Sequence, residues 1–253
     1  MPAMDLPTAD TLAFVERALA AHAIRPPSRL LEVGCGRGHL AAALSARGHR
    51  VIAVDSSEEA VAETRSRGAD ARLARFPAFE EREPFDAVLF TRSLHHIPPL
   101  ADAIAKAHAL LRPAGAIVVD DFAWNSVDRV TAAWAFGAMK MLRAIELLPS
   151  EDWDELEDPL RAWQRKHGEH HALHTDLAML EAVRERFDLR EEPERVPYFY
   201  RYVCHFLDDH DRGLSVAEAM LWTERMLIRE GCIVATGMRF SATTAAGSVE
   251  NRL

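Results

Sequence analysis

The first half of the chain alternates between two hydrophobic rhythms. Residues 8–23 place Leu12, Val15 and Leu19 at helical spacing, and Pro26-Pro27 ends that helix. A short apolar run, Leu30 to Val33, is then stopped by Gly34-Cys35-Gly36-Arg37-Gly38, the pattern of a buried strand entering a tight turn. Residues 39–47 are Ala/Leu-rich and helical up to Gly48. Val51 to Val54 is a second buried strand ending at Asp55, and Ser56 or Ser57 caps a helix running to about Arg67 and Gly68. A weaker strand is predicted at 70–74 and a strong one over Phe85 to Phe90. Pro98-Pro99 opens a helix to Leu111, and residues 113–115 turn the chain into a strand over Ala116 to Val119 that ends in Asp120-Asp121. Continuous apolar strands joined by helical crossovers predict an open, mostly parallel α/β sheet with helices on both faces.

The second half keeps no such alternation. Residues 124–166 are helical in composition and rich in aromatics, with Trp124, Trp134, Phe136, Trp153 and Trp163. Thr175-Asp176 reads as an N-cap for a helix over 176–186. Residues 187–206 read as strand interrupted by Pro193 and Pro197, residues 215–230 as a helix, and residues 232–243 as a last strand. In Tyr198-Phe199-Tyr200-Arg201-Tyr202, strand alternation puts the three tyrosines on one face. The expected organisation is a single domain over 1–253. Residues 28–122 form its core half and 123–174 a helical insertion or cap. Residues 175–253 complete the sheet with a C-terminal antiparallel strand pair.

Charge narrows the partners. The 253 residues carry a formal net charge of −9 and no long Lys/Arg run, which disfavours nucleic acid and anionic membrane. No apolar run reaches the length of a membrane span, and the first residues lack the basic and apolar regions of a secretory signal. Three widely spaced cysteines, Cys35, Cys204 and Cys232, fit a reducing cytoplasm better than a disulfide framework.

The chemistry concentrates at Glu32-Val33-Gly34-Cys35-Gly36-Arg37-Gly38. Glycines at a strand end allow positive φ and a close ligand approach, and the following helix offers free N–H groups to an anion. Asp55 falls about 20 residues later, at the tip of the next strand, where a carboxylate accepts hydrogen bonds from ribose hydroxyls. A dinucleotide fingerprint would need a small residue where His39 stands, which argues against an NAD-dependent oxidoreductase, as does the absence of an evident Tyr-x-x-x-Lys pair. The E-x-G-x-G-x-G spacing instead resembles the first motif of the class I S-adenosylmethionine-dependent methyltransferases. Four further stretches resemble that family in order: Val51 to Asp55; Phe85 to Val88 with Ser93 to Ile97; Leu110 to Gly115; and Ala116 to Asp121.

The resemblance covers roughly residues 28–122 and implies a Rossmann-like fold with S-adenosylmethionine as cofactor. It implies that Gly34, Gly36 and Gly38 line the methionine moiety, that Glu32 helps hold it, and that Asp55 binds the ribose. The loop from Thr91 to His95, Leu94 included, flanks the cofactor, and Cys35 and Ser56 belong to the same site. The acidic residue that often meets the adenine amine is Ala74 here, so backbone atoms of Arg75 or Phe76 are expected in its place.

Methyl transfer needs alignment and, for a weakly acidic hydroxyl or amine, a base. Histidine suits that role, and His95, His170, His171 and His174 are the candidates. With His167, the latter three fall on one face if the helix is continuous; alternatively, Gly168 and the Thr175-Asp176 cap make the segment a loop leading into a helix. A metal site is the lesser reading of that spacing, so no metal is expected. The expected function is methyl transfer to an oxygen or nitrogen of a small molecule. The alternatives are cofactor-dependent chemistry without methylation, such as cyclisation, or an interaction protein on the same sheet. The insertion's tryptophans, like the tyrosine run, pack as core, line a substrate pocket or form a homodimer surface.

Overall fold

The computed structural model describes residues 5–149, 158–207 and 212–244. In chain order the elements are α1 (Leu6–Ala21), β1 (Arg29–Val33), α2 (His39–Ala46), β2 (Arg50–Asp55), α3 (Glu58–Ser66), β3 (Asp70–Leu73), β4 (Phe85–Thr91), α4 (Leu100–Leu110), β5 (Leu111–Phe122), α5 (Arg129–Ala144), α6 (Pro159–Gln164), α7 (Asp176–Arg184), β6 (Phe187–Asp188), β7 (Glu194–Val196), α8 (Phe199–Leu207), α9 (Gly213–Arg229) and β8 (Gly237–Thr244).

The strands lie in the order β3-β2-β1-β4-β5-β8-β6, with β7 also pairing β8. β1 to β5 run parallel and β6 runs antiparallel to β8. The fold is the open Rossmann-like α/β sheet that the strand-helix alternation predicts. Strand order reverses at β1, which lies between β2 and β4. In such sheets a crevice opens beyond the C-terminal ends of the strands at that reversal.

The chain divides into two compact units. A sheet unit comprises Asp10–Asp121, Leu177–Glu194 and the chain from Arg239 onward. Its core is built from the apolar strands read in the sequence: Leu30, Val51, Ala53, Ala87, Leu89, Ala116 and Val118 are all buried. Deep in it, Asp120 accepts from Thr11 Oγ1 (2.9 Å) and from Arg239 Nη2 (3.1 Å), which ties α1 and β8 to β5. A helical unit comprises residues up to Ala9, Phe122–Asp176 and Arg195–Met238. Its core joins Phe122, Trp124, Met139, Trp163, Tyr198, Tyr200 and Leu221.

Four expectations change in detail. The aromatic run at 198–202 is not a strand. It opens α8, and Phe199, Tyr200, Val203, Cys204 and Leu207 are buried at helical spacing. The β preference of tyrosine and phenylalanine is weak against a continuous amphipathic pattern that packs on α9. Of the two readings of the histidine segment, the structure follows the loop and not the continuous helix. A single π-helical turn covers Arg165–His170, and the chain then leaves it through Ala172 at φ 47°. The last strand begins at Gly237 rather than 232, and β5 begins at Leu111, with a register shift opposite Phe85 and Ala87. Trp153 lies outside the described residues.

Candidate active site

Within the sheet unit, β1 ends in a turn whose three glycines all have positive φ: 73° at Gly34, 52° at Gly36 and 75° at Gly38. Each is needed for a different reason. A Cβ on Gly34 would fall 2.5 Å from Cβ of Ser93, in the loop after β4. A Cβ on Gly38 would fall within 2.7 Å of the Thr64 backbone in α3. A Cβ on Gly36 would meet nothing within 4 Å. Gly34 and Gly38 thus pack backbone against neighbouring elements, while Gly36 faces open space, as a position that admits a ligand should.

The turn is pinned from β2. Gly34 N–H and Cys35 N–H both donate to the Val54 carbonyl (2.8 and 3.3 Å). Asp55 Oδ2 accepts from Gly36 N–H at 3.0 Å and Oδ1 from Ser57 N–H at 2.9 Å. The carboxylate is therefore held at the mouth of the turn, and each oxygen keeps lone-pair capacity for another donor. Ser56, beside it, is exposed. Ser93 Oγ donates to the Val33 carbonyl at 2.5 Å, closing the turn from the β4 side.

Glu32 is fully buried beneath this turn. Desolvation pushes its carboxyl up to about 8, against the opposing effects of Arg92 and a hydrogen bond from the Ala41 backbone. Its Oε2 has no hydrogen-bond partner among the described residues. Cys35, by contrast, points into the packing: Sγ lies 3.4 Å from Thr64 Oγ1, and burial raises the thiol to about 12. A thiol held protonated by burial is a poor nucleophile.

The strand ends beyond the turn supply the rest. The Ala74 N–H donates to the Asp55 carbonyl at 2.9 Å, which sets Arg75 and Phe76 beside β2. Arg75 is exposed, while Phe76 is buried edge-on against Phe90 (5.4 Å between centroids). Thr91 and Leu94 are buried. Arg92, between them, has φ 63°, an unusual conformation for a residue with a side chain.

His95 is buried, and its Nδ1 is hydrogen-bonded to Oδ1 of Asp121, itself wholly buried at the end of β5. Asp121 Oδ2 accepts the Leu94 N–H (2.8 Å) and the His95 N–H (3.3 Å). Sequence reading found His95 and missed its partner. The signal was the Asp120-Asp121 doublet: neighbours in a strand face opposite ways, so one carboxylate meets Thr11 and Arg239 while the other meets His95.

The other histidine candidates belong to the helical unit. His167 is buried among Trp163, Phe122 and Trp124, and its Nδ1 donates to the Trp163 carbonyl at 2.9 Å. His171 is exposed. His174 is half-buried, and its carbonyl accepts from Trp124 Nε1 at 3.1 Å. The side chain of His170 lies outside the described residues. Asp176 is not a simple helix cap: its carboxylate accepts from Asn125, Ser126 and Arg195, and these bonds outweigh burial and hold it below the usual range.

The strand order with its glycine turn, pinned acidic tip and buried glutamate defines a class I methyltransferase type of α/β sheet. The chain belongs to the methyltransferase-domain family, whose sequence profile matches residues 8–189, within the S-adenosylmethionine-dependent class I group. A ubiquinone biosynthesis O-methyltransferase of Xylella fastidiosa (strain 9a5c) is 32% identical over 156 residues, 56% of this chain and 61% of that protein. The chain thus spans about three fifths of the length of the curated relatives it matches. Among solved structures, a phosphoethanolamine N-methyltransferase 2 from Haemonchus contortus, in complex with S-adenosyl-L-methionine, superposes with TM-score 0.59 at 15% identity, covering 94% of this chain and 52% of that one. A geranyl diphosphate C-methyltransferase from Streptomyces coelicolor A3(2) gives TM-score 0.59 at 15% identity, covering 94% and 76%. No helix among the described residues is long and apolar enough to cross a membrane.

Proposed function

We propose that the chain transfers the methyl group of S-adenosylmethionine to a hydroxyl oxygen of a small molecule, with an amine nitrogen as the second choice of acceptor. One observation carries the cofactor site: a glycine turn open at Gly36, bracketed by the Asp55 carboxylate and by the unpartnered Oε2 of Glu32. These residues fit the two polar ends of the cofactor. Glu32 Oε2 would accept from its ammonium, and Asp55 would accept from its ribose hydroxyls. Gly34 and Gly38 would keep the turn in shape, and Phe76 with the backbone of Arg75 would flank the adenine. Thr91 and Leu94 would form the opposite wall, with the backbone of Cys35 and Ser56 beside the ribose. When bound, the cofactor supplies an electrophilic methyl group. The protein's part is to align the acceptor and exclude water.

The acceptor rests on other grounds. The solved neighbours carry names with nitrogen and carbon acceptors, so the fold leaves the acceptor atom open. The sequence relatives are named O-methyltransferases, which favours oxygen. A net charge of −9 favours a small molecule over nucleic acid and fits a cytoplasmic enzyme, and a homodimer is compatible with this reading.

Calorimetric titration with S-adenosylmethionine, S-adenosylhomocysteine and NAD tests the cofactor. The first two should bind and NAD should not. Asp55→Asn, which keeps the shape of the turn, should weaken S-adenosylhomocysteine binding by about 1.5–3 kcal/mol, the loss expected for hydrogen bonds to a charged group. Unchanged affinity would remove Asp55 from the ribose site.

A further inference from the structure

We propose that Arg92 is a specificity-determining residue that binds a carboxylate of a small molecule at the β4 side of the site. The inference rests on the cofactor reading above and adds to it a cation held beside the glycine turn. Arg92 stands directly after β4 at φ 63°, a conformation that glycine adopts freely and that a Cβ disfavours. Its N–H donates to the Asp120 carbonyl at 2.8 Å, and Thr91 before it pairs with Asp120 across β4 and β5. The residues after it are locked as well: Ser93 packs against Gly34 and bonds to the Val33 carbonyl, and the Leu94 N–H donates to Asp121. A strained backbone position given to arginine and not to glycine argues that the guanidinium is needed there.

Exposure and charge indicate what it is needed for. From Thr91 to His95 only Arg92 is exposed, and the other four residues are buried. Its guanidinium makes no hydrogen bond or ion pair with any of the described residues. Its charge acts on Glu32 beneath the turn, yet burial outweighs it and raises that carboxyl to about 8. The cation is therefore within electrostatic reach of the turn, and Glu32 does not neutralise it near neutral pH. A planar guanidinium meets a carboxylate with two parallel N–H···O bonds. The net charge of −9 favours a singly charged carboxylate over a doubly charged phosphate.

Strand order bears on where that carboxylate lies. The strands run β3-β2-β1-β4, so Asp55 at the tip of β2 and Phe76 after β3 lie on one side of the glycine turn and Arg92 lies on the other. With the nucleoside end of the cofactor on β2 and β3, two sources can bring a carboxylate to β4. One is the amino-acid end of the cofactor, whose carboxylate shares a carbon with the ammonium assigned to Glu32. The other is the acceptor, which would then be a hydroxyl-bearing carboxylic acid. Either source gives Arg92 the same bidentate partner.

The test uses the full chain and the variants Arg92→Gln and Arg92→Gly. Titration with S-adenosylhomocysteine and with 5′-deoxy-5′-(methylthio)adenosine, which lacks the amino-acid end, reads the cofactor as source. Both variants should then bind the first about tenfold or more weakly, as loss of hydrogen bonds between charged groups gives, and the second within about twofold of the parent. Titration of the S-adenosylhomocysteine-saturated protein with 3-phenylpropanoate and 3-phenylpropanamide reads the acceptor as source. The parent should then bind the carboxylate about tenfold or more tightly than the amide. Both variants should lose that preference and keep S-adenosylhomocysteine affinity within about twofold. Either pattern supports a carboxylate at Arg92 and identifies the molecule that brings it, and absence of both overturns the proposal. An equal loss of both nucleosides also overturns it, and a lowered unfolding midpoint in Arg92→Gly would then mark Arg92 as a loop anchor. A parent that binds neither nucleoside overturns the cofactor reading itself, and that result is read from the unaltered protein.

Discussion

Glu32 sits with an ordinary value of 4.5 raised to about 8 because burial penalises its charged form more than Arg92 and the Ala41 backbone favour it. A carboxyl raised on folding binds its proton more tightly in the folded state, so the chain without ligand should lose stability as pH climbs from about 4.5 through about 8. An ammonium placed against Oε2 reverses the balance and favours the carboxylate. Binding of S-adenosylhomocysteine near neutral pH should therefore release a proton, and Glu32→Gln should abolish that release. Titrations in two buffers of different ionisation enthalpy read it directly: identical apparent enthalpies for the parent protein would mean that Glu32 does not meet the amino group. The acidic position itself was legible from the E-x-G-x-G-x-G spacing. Its lone unpartnered oxygen was not, because satisfaction of a buried group depends on what packs around it. The glycines divide the same way: their positive φ was readable, but not that Gly34 is reserved for Ser93 and Gly38 for Thr64.

Elements built on strand-helix alternation were read to within a few residues, since a continuous apolar run and a 3.6-residue period are properties of the chain itself. The exception is α8. Tyr198 to Tyr202 has the composition of a strand, yet its helix is started by a group from elsewhere: Glu224 of α9 accepts the N–H groups of Tyr198 (2.8 Å), Phe199 (2.9 Å) and Tyr200 (3.0 Å). These are orphan donors of a helix N-terminus, and a buried carboxylate satisfies three at once. No local capping signal precedes Phe199, so sequence alone had nothing to find. Burial raises the Glu224 carboxyl despite these bonds and the nearby Arg201. Glu224→Ala should leave the donors buried without an acceptor and lower stability by about 2–4 kcal/mol. Glu224→Gln, which keeps one acceptor oxygen, should lose less. Denaturant melts of both variants decide the point, and equal, small losses would show that the cap does not hold α8.

At the scale of the whole molecule, charge acts where local motifs are silent. The glycine turn was readable because a close approach to backbone demands glycine, whereas residues drawn together only by packing have no fixed spacing. The tryptophan-rich helical unit is the example: its composition was evident, but not that Trp124 and Trp163 would hydrogen-bond to backbone carbonyls and enclose His167. Net charge still bears on the acceptor. At −9 the chain repels a phosphate backbone, and association with nucleic acid depends on neutralising phosphates with released counterions. With tritiated S-adenosylmethionine, label should pass to a small hydroxyl-bearing molecule and not to bulk transfer RNA or duplex DNA, at low salt as well as high. Low salt is the stringent condition, because it magnifies any basic patch that sequence counting has averaged away. Incorporation into RNA that declines steeply with added salt would locate such a patch and replace the small molecule with a nucleic acid as the acceptor. Incorporation confined to the small molecule at every salt would make the net negative charge a filter that keeps polyanions from a site whose cofactor chemistry alone would not exclude them.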